Sequence, residues 1–320
     1  MTVYRKGSTG DAVRSIQQAL KDAGYMTEEP DGIFGSKTEN AVKIFQSKTG
    51  LGVDGLVGPA TWQKLFPASE PVQRDVSGDL NTRCLALTGS FETSRLAPDC
   101  FGVVTGDFDG QGMSYGALQW NFGQRTLQPL FSQLLSSHRE VAESIFGEHL
   151  DRLQQAVSGN QADAMAFAAS IQDPVKKTVQ EPWKSMFSAL GHTPEFQVIE
   201  VSGAAAYAAR GDSLRREYGL WSERAQALMF DICVQNGSIP NRVKSLIEED
   251  FAALPATLSA EESEIEKMRI VANRRAEAAN PRFIEDVRRR KLCIAEGKGS
   301  VHGHTYDLAA QFSLSLERVG

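Results

Sequence analysis

DCFGVVTGDFDGQGMSYGALQWNFG, residues 99–123, is where the chain stops reading as helix. Six glycines fall in it, interleaved with Phe101, Phe108, Tyr115 and Trp120, and the apolar spacing loses its helical period. Short strands and turns fit instead, with a strand over 113–118 and a turn at Asp109-Gly110. Glycine at this density lets backbone approach a ligand closely. Aromatic rings beside carboxylates suit the faces and hydroxyl groups of a sugar, although the same rings also serve as core.

Before this stretch, Cys84, Leu85, Thr88 and Phe91 mark one face of a helix over 81–91, and Glu92 stands at its end. Burial beside an aromatic disfavours an ionised carboxylate, as a general acid requires; the alternative is a solvated glutamate at a helix terminus. After the stretch the chain is mostly helical. The pattern predicts helices over 126–137, 141–157, 161–171, 174–190, 195–210, 222–235, 241–254, 260–279 and 281–294, with 297–303 a glycine-rich loop. Residues 80–320 therefore read as an α+β domain, predominantly helical, with a small sheet beside a helical bulk.

Residues 1–67 have a repeated grammar of their own. Ser8 precedes a helical run marked by Val13, Ile16 and Leu20, which Gly24 stops. Asp31-Gly32-Ile33-Phe34-Gly35 supplies a turn, and Ser36 with Glu39 forms a capping box before Ala41, Val42 and Phe45. Asp54-Gly55-Leu56-Val57-Gly58 repeats the turn, and Pro59 opens a third run with Trp62, Leu65 and Phe66. A small all-α domain of three short helices is expected, with no cluster of Ser, His and carboxylate for chemistry. Residues 68–79, ASEPVQRDVSGD, lack an apolar period and read as a linker.

The 320 residues suit two domains. A net charge of -6 disfavours a nucleic-acid partner. Residues 1–67 hold eight Lys or Arg against seven Asp or Glu, so the acidic excess lies in the second domain. Cys84, Cys100, Cys233 and Cys293 form no CxxC pair and read as buried thiols. No apolar run is long enough to span a membrane, and the N-terminus lacks the pattern of a signal peptide.

Cutting a glycosidic bond needs one carboxylic acid to protonate the leaving oxygen and a second carboxylate to activate water or attack. Glu92 and Asp109 form the best pair, with Asp107 the rival for the second role. Other chemistries fit poorly. There is no HExxH, GxSxG or P-loop. His149, His192, His302 and His304 make no metal set, although His302-Gly303-His304 with Asp307 leaves a zinc amidase as a rival. The Arg288–Lys291 run reads as a solvated helix face.

Residues 4–66 resemble the peptidoglycan-binding domain found at the ends of wall-lytic enzymes. The likeness rests on Gly10-Asp11-Ala12-Val13, both Asp-Gly turns, Thr38, Ala41-Val42, Phe45-Gln46 and Thr61-Trp62. It implies glycan or stem-peptide contacts at Asp31, Phe34, Thr38, Asn40 and Asp54. Read from the residues alone, the two aspartates shape turns and Phe34 fills the core.

The order of helix, Glu92, glycine-rich hairpin and helices resembles the lysozyme superfamily. Asp109-Gly110-Gln111-Gly112-Met113-Ser114 is similar to the Asp-Gly-Arg-Gly-aromatic-Thr motif of its chitosanase branch, departing at Gln111 and Ser114. The resemblance implies Glu92 as acid, Asp109 as base and the Ser114 hydroxyl as a holder of the attacking water. Gly116–Asn121 is closer to lytic transglycosylases and goose-type lysozymes, which can lack a base carboxylate; Tyr115, Gln119, Trp120 and Asn121 are the residues expected beside substrate. Together these features resemble the modular lysins of phages that infect Gram-negative bacteria. The expectation is a monomer without metal or cofactor. It would be made in the host cytoplasm without a signal peptide, insert in no membrane and act on periplasmic peptidoglycan as a lysozyme-type glycosidase. A lytic transglycosylase, a zinc amidase and a non-catalytic wall-binding protein are the alternatives.

Overall fold

The structure, a computed structural model, describes residues 4–66, 76 and 78–319. It has two compact units, Met1–Gln73 and Arg74–Gly320. Of the segment read as a linker, residues 68–75 and 77 lie outside the described residues.

In the first unit α1 (Asp11–Asp22) and α2 (Ser36–Thr49) carry the bulk, and α3 (Pro59–Leu65) is a seven-residue segment. Val13, Ile16, Leu20, Phe34, Val42, Phe45, Val57 and Trp62 form its core. The sequence repeat has a counterpart in hydrogen bonding. Gln17 on α1 donates through Nε2 to Asp31 Oδ1 (2.8 Å), the Ile33 carbonyl (3.0 Å) and Thr38 Oγ1 (3.0 Å). Its Oε1 accepts from the Gly32 N–H at 2.8 Å. Gln46 on α2 repeats the set with Asp54 Oδ1 (2.7 Å), the Leu56 carbonyl (2.9 Å), Thr61 Oγ1 (3.1 Å) and the Gly55 N–H (2.9 Å). Each buried amide satisfies the polar groups of one turn and ties it to the preceding helix.

The second unit opens with α4 (Leu80–Thr93), which Asp79 caps by accepting the Thr82 N–H at 2.8 Å. A 3-10 turn (Asp99–Gly102) leads to β1 (Val104–Thr105), β2 (Ser114–Tyr115) and β3 (Trp120–Asn121). Then follow α5 (Gln128–Ser137), α6 (Arg139–Phe146), α7 (Leu150–Ser158), α8 (Gln161–Ser170), α9 (Trp183–Gly191) and α10 (Pro194–Gly203). The chain continues through α11 (Ala205–Glu217), α12 (Glu223–Asn236), α13 (Asn241–Ala252), α14 (Ala260–Glu277) and α15 (Ile284–Glu296). It closes with β4 (Lys298–Val301), β5 (His304–Asp307) and α16 (Leu308–Phe312).

Helix α4 is the axis of this unit: every residue from Cys84 to Phe91 is buried, and α10, α12 and α16 pack around it. A helix apolar on all sides belongs inside a core. The antiparallel sheet β1-β2-β3 lies against it. A Cβ added at Gly89 would stand 2.7 Å from the Ala117 Cβ, so glycine allows this close approach.

Several local expectations give way to tertiary structure. The strand expected over 113–118 is two residues long. The helix expected over 174–190 begins only at Trp183. Before it, Asp173 Oδ1 accepts the N–H groups of Val175 and Lys176, forming a turn that Gln172 and Val179 close by a β-bridge. The helix expected over 141–157 breaks at Gly147, and the one over 195–210 breaks at Ala204. The expected loop 297–303 is mostly the hairpin strand β4, paired with β5. His302 and Gly303 take φ of 50° and 82°, as a two-residue hairpin turn requires.

Glu200 on α10 is fully buried beneath the β2–β3 turn. Its Oε2 accepts the Ala117 N–H at 2.9 Å, and Oε1 has no partner among the described residues. Burial pushes its carboxyl well above the usual carboxylate range. The folded state then holds a proton that the unfolded chain releases near pH 4.5, so this group lowers stability as pH rises above that point. Glu200→Gln keeps the acceptor for Ala117 and removes the penalty. We expect its melting temperature at pH 7 to exceed the native one by at least about 2–4 °C, because each pH unit is worth about 1.4 kcal/mol. The advantage should vanish below about pH 4.5. Thermal melts across pH check this, and equal melting at pH 7 refutes it.

Candidate functional site

The last turn of α4 presents Glu92 at the surface, with 28% of its side chain exposed, directly after the buried Phe91. The desolvated setting expected from Phe91 is not what surrounds it. Instead Oε1 accepts from Arg290 Nη2 of α15 at 2.7 Å, and Oε2 makes no hydrogen bond among the described residues. The Arg290 guanidinium lies 5.1 Å from the Phe91 ring centroid.

Arg290 is 2% exposed and Lys291 0%, which overturns the solvated reading of the Arg288–Lys291 run for these two residues, whereas Arg289 is exposed and Arg288 half-buried. Arg290 and Lys291 both point at Asp231 on α12, itself fully buried. Asp231 Oδ1 accepts from Arg290 Nε (2.8 Å), Arg290 Nη2 (2.6 Å) and Thr88 Oγ1 of α4 (3.1 Å), and Oδ2 accepts from Lys291 Nζ. Lys291 also donates to Gln235 Oε1 at 2.6 Å. Burial alone would raise the Asp231 carboxyl, but the charges of Arg290 and Lys291 outweigh it and hold it below its usual range. Burial lowers Lys291 to about 8, against the pull of Asp231. Glu92 is thus held by a guanidinium whose own position a buried carboxylate fixes. Asp231 was not singled out from sequence, and Arg290 and Lys291 were read only as part of a solvated run. The available signal was an aspartate inside the apolar run Ala227–Cys233.

Asp107 and Asp109 lie on the β1–β2 loop. Asp107 Oδ1 accepts the Gly112 N–H at 3.0 Å, its own N–H donates to Gln172 Oε1 at 2.8 Å, and the residue is half-buried. Asp109 is exposed, and its Oδ1 accepts the Gln111 N–H at 3.1 Å. Each aspartate therefore spends one oxygen on the loop. Ser114 is half-buried on β2 and pairs with Thr105 and Asn121.

The residues expected beside substrate lie mostly inside. Tyr115 is fully buried among Phe131, Phe187 and Phe196, and its hydroxyl donates to the Phe187 carbonyl at 2.7 Å. Trp120 and Asn121 are each 7% exposed, and Asn121 Oδ1 accepts the Gln124 N–H. Gln119 is half-buried and braces the turn, donating to the Gly116 carbonyl at 2.8 Å and accepting from Thr105 Oγ1 at 2.9 Å. As these side chains stand, they shape the sheet. Phe101 is also core, whereas Phe108 is 71% exposed between the two aspartates.

In the first unit Phe34 and Thr38 are buried, so neither offers a surface to a ligand. Asp31 and Asp54 are exposed but serve their turns. The backbone N–H groups of Ile33 and Leu56, then Gln17 and Gln46, hold their carboxyls below the usual range. Asn40 is exposed, and Ile33 and Leu56 stand out beside the turns at 56% and 36% exposure.

Among the described residues no three His, Cys, Asp or Glu side chains gather as metal ligands, and all four cysteines are buried free thiols. No helix of the described residues is long and apolar enough to cross a membrane.

The peptidoglycan binding domain family matches residues 9–65, which makes the first unit a peptidoglycan-binding domain. Over 58 residues, 18% of this chain, it is 52% identical to an uncharacterised protein of Kitasatospora aureofaciens, covering 49% of that protein. Over 68 residues, 21% of this chain, it is 43% identical to a spore cortex-lytic enzyme of Bacillus cereus, covering 26% of that enzyme. The matches thus span about half or less of these relatives. A native chitosanase from Bacillus subtilis MY002 aligns in structure with 73% of this chain and 97% of its own, at 15% identity and a TM-score of 0.44.

Proposed function

We propose that this protein is a peptidoglycan hydrolase of the lysozyme type, cutting the glycan backbone by two-carboxylate catalysis in the service of host-cell lysis. One observation carries the reading. A carboxylate ends a buried helix, one of its oxygens is tied to a buried guanidinium and the other is open, and the helix packs on a glycine-rich sheet whose first loop holds two further carboxylates. The peptidoglycan-binding domain on the same chain supports the choice of glycan. Glu92 protonates the leaving oxygen. Asp109, with Asp107 its rival, activates water on the opposite face of the sugar, and Ser114 Oγ helps to hold that water.

A lytic transglycosylase is the second reading, favoured by the loop hydrogen bonds that occupy both aspartates. In that case Glu92 acts alone and the product sugar cyclises. Mass spectrometry of purified peptidoglycan digested by the full chain separates the two. Reducing muramic ends are expected for the hydrolase and anhydro ends for the transglycosylase. Intact glycan strands with released stem peptides would sink both.

A further inference from the structure

The end of a helix leaves carbonyls without intrahelical partners, and the last turn frays unless something binds them. At the end of α4 the partners come from the β4–β5 hairpin. His302 Nδ1 lies 3.1 Å from the Phe91 carbonyl and His304 Nε2 lies 3.0 Å from the Ser94 carbonyl. The Tyr306 ring meets Phe91 edge-on with centroids 4.9 Å apart. His302 Nε2 also lies 2.6 Å from Asp286 Oδ1 on α15. The His302 ring thus stands between a carbonyl and a carboxylate, one at each ring nitrogen, and joins the end of α4 to α15.

The contacts close a circuit around Glu92. From the Phe91 carbonyl it runs through His302 to Asp286, whose Oδ2 accepts from Gln235 Nε2 at 3.4 Å. Gln235 accepts from Lys291, Lys291 and Arg290 both bind Asp231, and Arg290 returns to Glu92. Glu92 is therefore restrained at both ends, at its carboxylate by Arg290 and at its backbone by the hairpin.

We propose that His302 is a positioning residue for Glu92: by joining the Phe91 carbonyl to Asp286, it fixes the terminal turn of α4 and so the direction in which the Glu92 carboxylate points. This rests on the reading of Glu92 as the acid. It also gives the His302-Gly303-His304 tip a role other than metal binding.

The test is His302→Asn beside Glu92→Gln, in the full chain, on soluble glycan fragments of peptidoglycan. Asparagine tolerates positive φ, and Asn-Gly is a favoured pair for this turn, so the hairpin stays folded while the side chain becomes too short for both contacts. Misplacing a reacting group by about 1 Å costs roughly 100-fold, so we expect His302→Asn to lower kcat by about 10- to 100-fold. KM should stay within about twofold and Tm should be unchanged or higher. Native kcat in His302→Asn while Glu92→Gln is inactive overturns the positioning role and leaves the acid assignment standing. A matched loss of kcat and Tm overturns it in favour of a merely structural part. Native activity in Glu92→Gln overturns both, and the Glu92 variant itself identifies that failure.

Discussion

Glu92→Gln is expected to lower turnover of purified peptidoglycan by about 10²–10⁴-fold while leaving the fold intact. Glutamine has the shape of glutamate, and its Oε1 can still accept from Arg290, which now contacts Glu92 at 2.7 Å. What it lacks is the proton that the leaving oxygen takes, and a positioned acid contributes about that factor. Because Glu92 is partly exposed and its partner Arg290 remains anchored by Asp231, little stability depends on the substitution. Asp107→Asn and Asp109→Asn belong in the same experiment. Each amide oxygen can keep its loop hydrogen bond, so the variants isolate the charge. If Asp109 activates water, its variant should be nearly as damaged as Glu92→Gln. A mild loss there with anhydro products assigns the transglycosylase reading. A severe loss only at Asp107 moves the base to that residue. Near-native turnover by folded Glu92→Gln removes the mechanism altogether.

The largest effect on stability is expected at Asp231. Asp231→Asn should destabilise the second unit by about 3–5 kcal/mol at pH 7, because breaking a buried ion pair strands its partner. Two cations, Arg290 and Lys291, would be left inside, with Glu92 the remaining carboxylate in contact with Arg290. The folded carboxyl of Asp231 lies below its usual range, so its contribution is present above the unfolded value, 3.8, and is lost as pH falls through the folded one. The gap between native and variant should therefore hold near neutral pH and close in acid. Adding Lys291→Met removes one stranded charge and should restore part of the loss. Chemical denaturation of the three proteins at several pH values measures this; a native-to-variant difference below about 1 kcal/mol at pH 7 would refute it.

The peptidoglycan-binding unit was legible because its determinants are local. Asp-Gly turns and apolar spacing act over a few residues, and the chain states them twice, whereas the expected Ser8 and Ser36 caps are not formed: Gly10 and Gly35 stand at the helix starts without a side-chain cap. Even there, the roles of Gln17 and Gln46 needed the structure: each amide reaches a turn 8 to 21 residues further along the chain. In the second unit, the apolar run before Glu92 and the glycine-rich stretch after it were enough to anticipate a helix ending in a carboxylate beside a small sheet.

The environment of that carboxylate was decided elsewhere. Arg290 lies 198 positions from Glu92, and His302 lies 211 from Phe91, separations over which neither periodicity nor turn chemistry carries information. A run of four basic residues reads as a solvated face until folding places an aspartate against two of them. Tyr115 reads as a sugar contact until three phenylalanines from later helices enclose it, and a two-residue strand is too short for alternation to reveal which side is buried. By itself the sequence determined the elements and the residue types that chemistry would use, because those follow from neighbours along the chain. Only the tertiary structure decided which charges are buried together and which side chains meet the carbonyls at the end of α4, because buried polar groups are tolerated only when a distant partner satisfies them.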